Sequence, residues 1–382
     1  MQRSDAAGLA DAVLEHYATA ANGTRTIYGH DAGPVVLAGV AHGLGAIDDD
    51  RFAAVARRWF DELADHVEAV GAFGGLGGFS AGIRALIAVD DGFAPLQDAL
   101  EAQTRRVLAG ARWRTSAVAW VDYDLFRGPS GLVLSGTPDA SAPAAVHLAR
   151  LCDEPGLERL RAGSEISAPS AFNIGRINTG MGHGVTGVAS ALRHAVETFG
   201  DAYRPPLRRA CDWLVGEAYL AERDFITWPP VGRDAAEPTA GADRRQAWCY
   251  GTPGVAWALW DAGRVLGDGS LRLLGEEAMR SFCRVYDPDF SFPIHDASEE
   301  LAVCHGMAGT LAVADAFARH AALPEAQALR AELAAALLDR AGRVADIART
   351  DMSVLNGAGG IVAVLLSACG GPREWLCQLA LR

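Results

Sequence analysis

One short pattern recurs six times along the chain: G-x-x-G followed by small and apolar residues at helical spacing. The copies begin at Gly75, Gly128, Gly184, Gly251, Gly306 and Gly357, and read GLGGFSAGIRAL, GPSGLVLSG, GVTGVASALRHAV, GTPGVAWALW, GMAGTLAVADAF and GAGGIVAVLL. Successive starts lie 53, 56, 67, 55 and 51 residues apart. A period of about 54 residues accommodates two helices of roughly 15 to 20 residues with their turns, so each unit reads as a helical hairpin. Glycine permits a tight turn and close backbone approach just before each helix, and the small apolar residues that follow predict that this helix is buried. Periodicity leaves two arrangements open: an open solenoid, or a closed ring with all the glycine turns at one end.

The stretches between the glycine motifs are rich in Ala, Leu, Arg and Glu. In FAAVARRWFDELADHVEAV, Phe52, Val55, Trp59, Leu63 and Val67 form a stripe at steps of three and four, the mark of an amphipathic helix. No comparable alternating pattern predicts strands, so the expected class is all-α. The longest interval holds Glu222 to Gln246, where Pro229, Pro230 and Pro238 among scattered Gly and Asp predict an exposed loop, either a cover for a site or a solvated insertion.

The 382 residues are half hydrophobic, enough for a sizeable core in one large domain or two ordinary ones. With 34 basic against 47 acidic residues the formal charge is -13, the wrong sign for a nucleic-acid backbone without a local basic stripe, and none is present. The pairs Arg105–Arg106 and Arg208–Arg209 read as solvated helix faces. No window approaches the roughly 18 consecutive apolar residues of a membrane helix, and the N-terminal stretch with Asp5 and Asp11 does not read as an export signal, so a cytoplasmic location is expected. Seven cysteines, an odd number thinly spread, argue against a disulfide framework. Cys152, Cys211, Cys283, Cys369 and Cys377 lie away from the motifs and read as packing residues.

Copies four and five carry unusual neighbours. WCYG puts Cys249 two residues before its glycine, and CHG puts Cys304 and His305 immediately before theirs. Adjacent side chains diverge by about 100 degrees on a regular helix, so a Cys-His pair converges on one ion only in a turn or at a helix start. Two thiolates and an imidazole form a zinc-compatible set with the fourth tetrahedral position open, and the soft sulfur donors disfavour magnesium or calcium. Two separated cysteines in apolar sequence are also compatible with plain core packing.

Read together, GMGHGVTGV, RRQAWCYGTPG and CHGMAGT resemble the signature motifs of the lanthionine synthetase C-like family, in that family's order. The likeness extends to YDLFRGPSGL and LNGAGGIVAVLL and covers about residues 70 to 370. It implies an α/α toroid of two concentric helical layers spanning residues 1–382 as one cyclase domain, with N-terminal helices to about residue 70 and the six repeats from about 71 to 370. It also implies one zinc ion per chain held by Cys249, Cys304 and His305, and functional roles for His183, Asp124, Arg245 and Tyr250.

The implied reaction adds a peptide cysteine thiol to the β-carbon of dehydroalanine or dehydrobutyrine, giving the thioether rings of a lanthipeptide. A free thiol is only a few per cent ionised at neutral pH, so a cation that stabilises the thiolate removes much of the difficulty. The resulting enolate needs stabilisation at oxygen and a proton at the α-carbon. His183 suits the acid, because imidazole exchanges protons near neutral pH. Asp124 would orient or charge it, or help take the thiol proton. Arg245, four residues before Cys249, would share its side if that turn is helical and would face the oxyanion with Tyr250. Each residue also has a plainer reading: turn cap for His183, helix cap for Asp124, surface charge for Arg245 and core for Tyr250.

Expected partners are a dehydrated precursor peptide with its leader and a separate dehydratase, because no nucleotide loop or catalytic-loop aspartate pattern precedes the repeats. The acidic balance would suit a basic leader or partner without locating its site. Competing readings are glutathione addition to dehydrated residues within the same family, a zinc-stabilised scaffold that binds a peptide or dehydratase without catalysis, and the helical, zinc-binding protein prenyltransferase β chains. The last would lack WCYG and CHG in this arrangement.

Overall fold

The computed structural model describes residues 2–20, 31–62, 69–164, 173–234, 241, 243–291 and 299–382. In chain order the helices are α1 (Gln2–Thr19), α2 (Gly33–Gly43), α3 (Asp49–Asp61), α4 (Leu76–Ile87), α5 (Ala94–Gly110), α6 (Pro129–Ser135), α7 (Pro138–Leu151) and α8 (Val185–Phe199). They continue with α9 (Arg204–Glu217), α10 (Thr252–Leu266), α11 (Gly269–Val285), the single turn α12 (Pro288–Ser291), α13 (Met307–His320), α14 (Pro324–Leu338), α15 (Ala341–Ala348) and α16 (Ala358–Ala368). Two strands, β1 (Tyr219–Leu220) and β2 (Ile226–Thr227), pair antiparallel.

Seven helices form a closed inner ring, α2–α4–α6–α8–α10–α13–α16 and back to α2. Closure excludes the open solenoid. Each of the six G-x-x-G helices starts where the sequence predicts, with Gly75, Gly128, Gly184, Gly251, Gly306 and Gly357 as their N-caps. The seventh, α2, lacks the motif and begins at Asp31-Ala-Gly33-Pro34. The inner helices are apolar nearly all round; every residue of α6 and α16 is buried. Outer helices bury a single face, as α9 does with Leu207, Ala210, Cys211 and Leu214. In the predicted stripe Phe52, Val55 and Trp59 are buried along α3, while Leu63 and Val67 lie outside the described residues.

Proximity explains the glycines better than unusual dihedrals do. Five of the six N-cap glycines have ordinary extended backbone. What excludes a side chain is contact: a Cβ on Gly128 would sit 2.5 Å from the Asp124 amide nitrogen, and one on Gly306 2.5 Å from the Glu300 carbonyl oxygen. Gly251 is the exception. Its φ of 75 and ψ of -155 are available essentially to glycine alone.

The turns are tied to one another by backbone hydrogen bonds running round one end of the ring. Ala72 N donates to Leu125 O (3.0 Å), Leu125 N to Gly182 O (3.0 Å), Met181 N to Cys249 O (2.8 Å), Cys249 N to Cys304 O (3.2 Å) and Cys304 N to Leu355 O (2.9 Å). The series ends at α2, where Val354 N donates to Asp31 Oδ1 at 2.8 Å. All seven inner helices therefore begin at this end, and their dipoles favour anionic groups there.

The middle of the ring is filled by the end of the chain. Trp375, Leu376, Gln378, Leu379 and Leu381 are buried. Trp248 Nε1 donates to Leu379 O (2.8 Å), Trp257 Nε1 to Ala380 O (3.0 Å) and Gln378 Nε2 to Ala72 O (2.5 Å). Arg382 reaches the buried Asp261 at 3.0 Å, and Arg373 pairs with the buried Asp315.

The segment from Glu222 to Gln246 departs from the expected exposed loop. Pro238 lies outside the described residues, but Phe225, Thr227, Trp228, Val231 and Gln246 are buried. Trp228 Nε1 donates to Leu214 O on α9 (2.7 Å), and Ile226 N to Ser281 Oγ on α11 (3.1 Å). The prolines and glycines shape this stretch, but its aromatic and β-branched residues anchor it between two outer helices, the stronger free-energy term.

Asp31 closes the ring on a buried carboxyl. Burial raises it to about 7 against the pull of the Gly33 and Val354 amides, with the charge of Asp351 adding to the rise. Oδ2 has no hydrogen-bond partner among the described residues. A raised carboxyl contributes its full stability below its ordinary value of 3.8 and loses it as pH climbs through about 7. Asp31→Asn should therefore gain on wild type in Tm as pH rises across that window. A Tm difference that stays flat with pH would show that this carboxyl does not govern the seam.

Candidate metal centre

The WCYG turn is built by the residues around it. Gln246 is fully buried; its Oε1 accepts the Thr252 amide (2.8 Å), capping α10, while its Nε2 donates to Thr227 Oγ1 (2.8 Å) and Asp243 O (2.8 Å). Ala247 N closes onto Tyr250 O at 2.9 Å. With Gly251 in its glycine-only conformation, this turn directs Cys249 toward the next one. There Cys304 and His305 precede Gly306, and one ligand atom from each of Cys249, Cys304 and His305 falls within 4.8 Å of the others.

Both sulfurs are buried and adjacent. The hydrogen bond from Cys304 pulls the Cys249 thiol well below the ordinary range despite burial, helped by His305 and the charge of Arg245. The same hydrogen bond pushes Cys304 up. At His305 burial works downward, but the Cys249 contact and the charges of Cys249 and Glu299 outweigh it and raise the imidazole. Two soft sulfurs and one ring nitrogen converging on so small a volume, at an end that favours anions, fit a tetrahedral zinc with one position left over.

One turn away stands the second group. His183 Nδ1 lies 2.7 Å from Asp124 Oδ2, and the buried Asp124 also accepts the amides of Arg127 (2.7 Å) and Gly128 (2.8 Å) through Oδ1. Asp124 is thus helix cap and histidine partner at once, one oxygen for each. With a carboxylate on Nδ1, that nitrogen carries the proton and Nε2 is the one free for substrate. The backbone is held too, since Tyr123 OH donates to His183 O at 2.8 Å. His183 keeps a quarter of its side chain exposed, between Trp120 at 4.8 Å and the edge of Phe126 at 4.5 Å between ring centres. The Met181–Cys249 hydrogen bond couples this turn directly to the thiol turn.

Arg245 and Tyr250 sit beside the thiol of Cys249 for a reason other than the expected one. Residues 244 to 251 are not helical, so an i,i+4 relation between Arg245 and Cys249 does not apply. Arg245 is exposed and lies over the Tyr250 ring, 5.6 Å from its centre, with its charge felt at both cysteines. Tyr250 is buried, which raises its hydroxyl and keeps it protonated; Asn178 Nδ2 donates to it at 2.9 Å, leaving its own proton available.

Sequence reasoning missed the apolar floor. Phe126 stacks on Trp248 at 6.2 Å, and Phe73 meets both edge-on at 5.4 Å and 6.3 Å. Phe73 and Phe126 occupy equivalent positions, two residues before their glycines, which was the available signal. Asn178 and Trp120 carried none. The remaining cysteines are free, with Cys152 and Cys211 fully buried.

Comparison with known proteins agrees with this architecture. A family model described as lanthionine synthetase C-like protein matches residues 37–374. Among solved structures the chain is similar to nisin cyclase, with a TM-score of 0.74 over 91% of each chain at 19% sequence identity, a likeness in fold: an α/α toroid. No curated protein matches it in sequence.

Purified protein is expected to carry about one zinc per chain and Cys304→Ala to lose it, as read by inductively coupled plasma mass spectrometry. Wild-type protein that takes up no added zinc would remove the metal from this site.

Proposed function

The chain belongs to the lanthionine synthetase C-like family, and from that premise we propose that it is a zinc-dependent lanthionine cyclase acting on a dehydrated precursor peptide. The observation that carries the reading is the pairing of two groups on hydrogen-bonded neighbouring turns: the Cys249–Cys304–His305 cluster and the Asp124–His183 couple. A structural metal cluster alone would not call for a partly exposed histidine locked by a buried carboxylate beside it.

Cys249, Cys304 and His305 would hold the ion, which when bound supplies the positive charge that keeps a substrate thiol ionised near neutral pH. The sulfur of the peptide cysteine forms a bond to the β-carbon of dehydroalanine or dehydrobutyrine. The π electrons of the carbon–carbon double bond move toward the adjacent carbonyl, giving an enolate, and a proton then adds at the α-carbon. His183 is the group to deliver it, through Nε2, because Nδ1 is occupied by Asp124. Asp124 holds the ring's orientation. Arg245 and the protonated Tyr250 offer donors for the enolate oxygen, their usefulness increased by the apolar floor of Phe73, Phe126 and Trp248. That floor also suits the apolar faces of dehydrated residues. No further group is consumed: the thiol proton leaves, one proton arrives at carbon, and a thioether remains.

The dehydration that makes the acceptor is a different reaction, which we assign to a separate dehydratase. Among the described residues no helix is long and apolar enough to cross a membrane.

Ring closure leaves peptide mass unchanged, so its progress is read by alkylating the thiols that remain before mass spectrometry. His183→Ala should keep its zinc and lose ring formation by roughly 10²–10⁴-fold, the usual worth of a positioned general acid. Wild-type rates in that variant would discard the acid role, whereas a wild-type protein that forms rings no faster than the uncatalysed reaction would favour the non-catalytic scaffold. A glutathione adduct in place of a ring, when both thiols are offered, would move the assignment to glutathione addition.

A further inference from the structure

We propose that Glu299 is a positioning residue of the metal centre, holding His305 through Nε2 and thereby presenting Nδ1 to the metal. This inference rests on the zinc reading above. His305 Nε2 lies 3.4 Å from Glu299 Oε2. The two nitrogens of an imidazole face away from each other, so a ring engaged by a carboxylate at Nε2 offers Nδ1 to the sulfurs of Cys249 and Cys304.

The local fold separates two adjacent carboxylates by task. Residues Glu299–Leu301 form a 3-10 turn seated directly on the CHG turn: Gly306 N donates to Ala302 O at 3.1 Å, and Gly306 has no room for a Cβ between the carbonyls of Glu299 and Glu300. Glu300 points away, to Arg343 at 2.9 Å and Arg340 at 3.4 Å, and so clamps the turn onto the outer layer beside α15. With its neighbour anchored, Glu299 is turned to the histidine. Its side chain is about half exposed, so replacing it removes no core packing.

A carboxylate accepting the far N–H of a ligating histidine fixes the tautomer and ring orientation and makes the ligand nitrogen more basic. Losing such a partner commonly weakens metal binding by about 10–100-fold. Here the partner comes from a turn outside the glycine motif, five residues before the cysteine of CHG, a position that no metal-ligand spacing would single out.

The test compares full-length wild type, Glu299→Ala, Glu299→Gln and, as a structural control, Glu300→Gln. Zinc affinity is measured by competition with a chromophoric chelator, and geometry by the visible absorption of the cobalt(II)-substituted protein. Glu299→Ala should weaken zinc roughly 10–100-fold and shift the cobalt bands, with Glu299→Gln recovering part of both because its amide oxygen offers an acceptor to the same ring nitrogen. Glu300→Gln should lower Tm while leaving the cobalt spectrum in place. Zinc affinity within about twofold of wild type and an unchanged cobalt spectrum in Glu299→Ala would overturn the positioning role while leaving the metal site standing. Failure of wild type to bind either metal would instead bring down the zinc reading, and this proposal with it.

Discussion

The series of backbone hydrogen bonds that joins successive glycine turns is the constraint on which the rest depends. Each turn passes an amide to the carbonyl of the next, so the turns cannot rotate independently and the residues inserted in them are held at one end of the ring. Cys249 takes part with both groups, its carbonyl accepting from Met181 and its amide donating to Cys304. A thiol placed on such a turn has little positional freedom. The Cys249–Cys304–His305 cluster and the Asp124–His183 pair are thereby held in fixed relation to each other.

The glycines serve that series chiefly by being small. The inner helices begin hard against the carbonyls of their own preceding turns; a Cβ on Gly78 would lie 2.7 Å from Ala72 O. The residue just before each helix-starting glycine is left to vary, and five of the six carry polar or aromatic side chains: Arg127, His183, Tyr250, His305 and Asn356. Candidate site residues therefore gather in the turn just before the glycine, with Cys249 and Cys304 two residues before it and His183, Tyr250 and His305 one residue before it. Asp124 shows how little material this takes, since a single buried carboxylate caps α6 with one oxygen and orients His183 with the other. The capping contact and the contact to the histidine are two halves of one arrangement.

From below, the site is supported by the last residues of the chain. Leu379 and Ala380 accept the indole N–H groups of Trp248 and Trp257, and Arg373 and Arg382 engage carboxylates buried on α13 and α10. Trp248 neighbours Cys249, so the tail, the aromatic floor and the thiol turn form one packed unit. Burying the two indoles between ring and tail contributes apolar area on the order of 150–250 Å² each, and their N–H groups are satisfied, as large buried aromatics require.

Much of this was legible in the sequence because it is written locally. The repeat of G-x-x-G followed by small apolar residues specifies six buried helices and their start points, since helix burial depends on which side chains follow in line. Cysteine and histidine in equivalent turns specify a soft donor set, because chemical type travels with the residue. Ring closure did not follow from periodicity. It depends on how α2, which carries no motif, meets α16, and on the buried Asp31 that links them across more than three hundred residues. The anchoring of Phe225 and Trp228, the route of the tail, the place of Arg245 over Tyr250 in a non-helical turn, and the approach of Glu299 to His305 likewise belong to tertiary structure alone. The physical reason is common to all of them: period and residue type record what each segment prefers, whereas contacts between distant segments depend on packing and hydrogen bonding that exist only once the ring has closed.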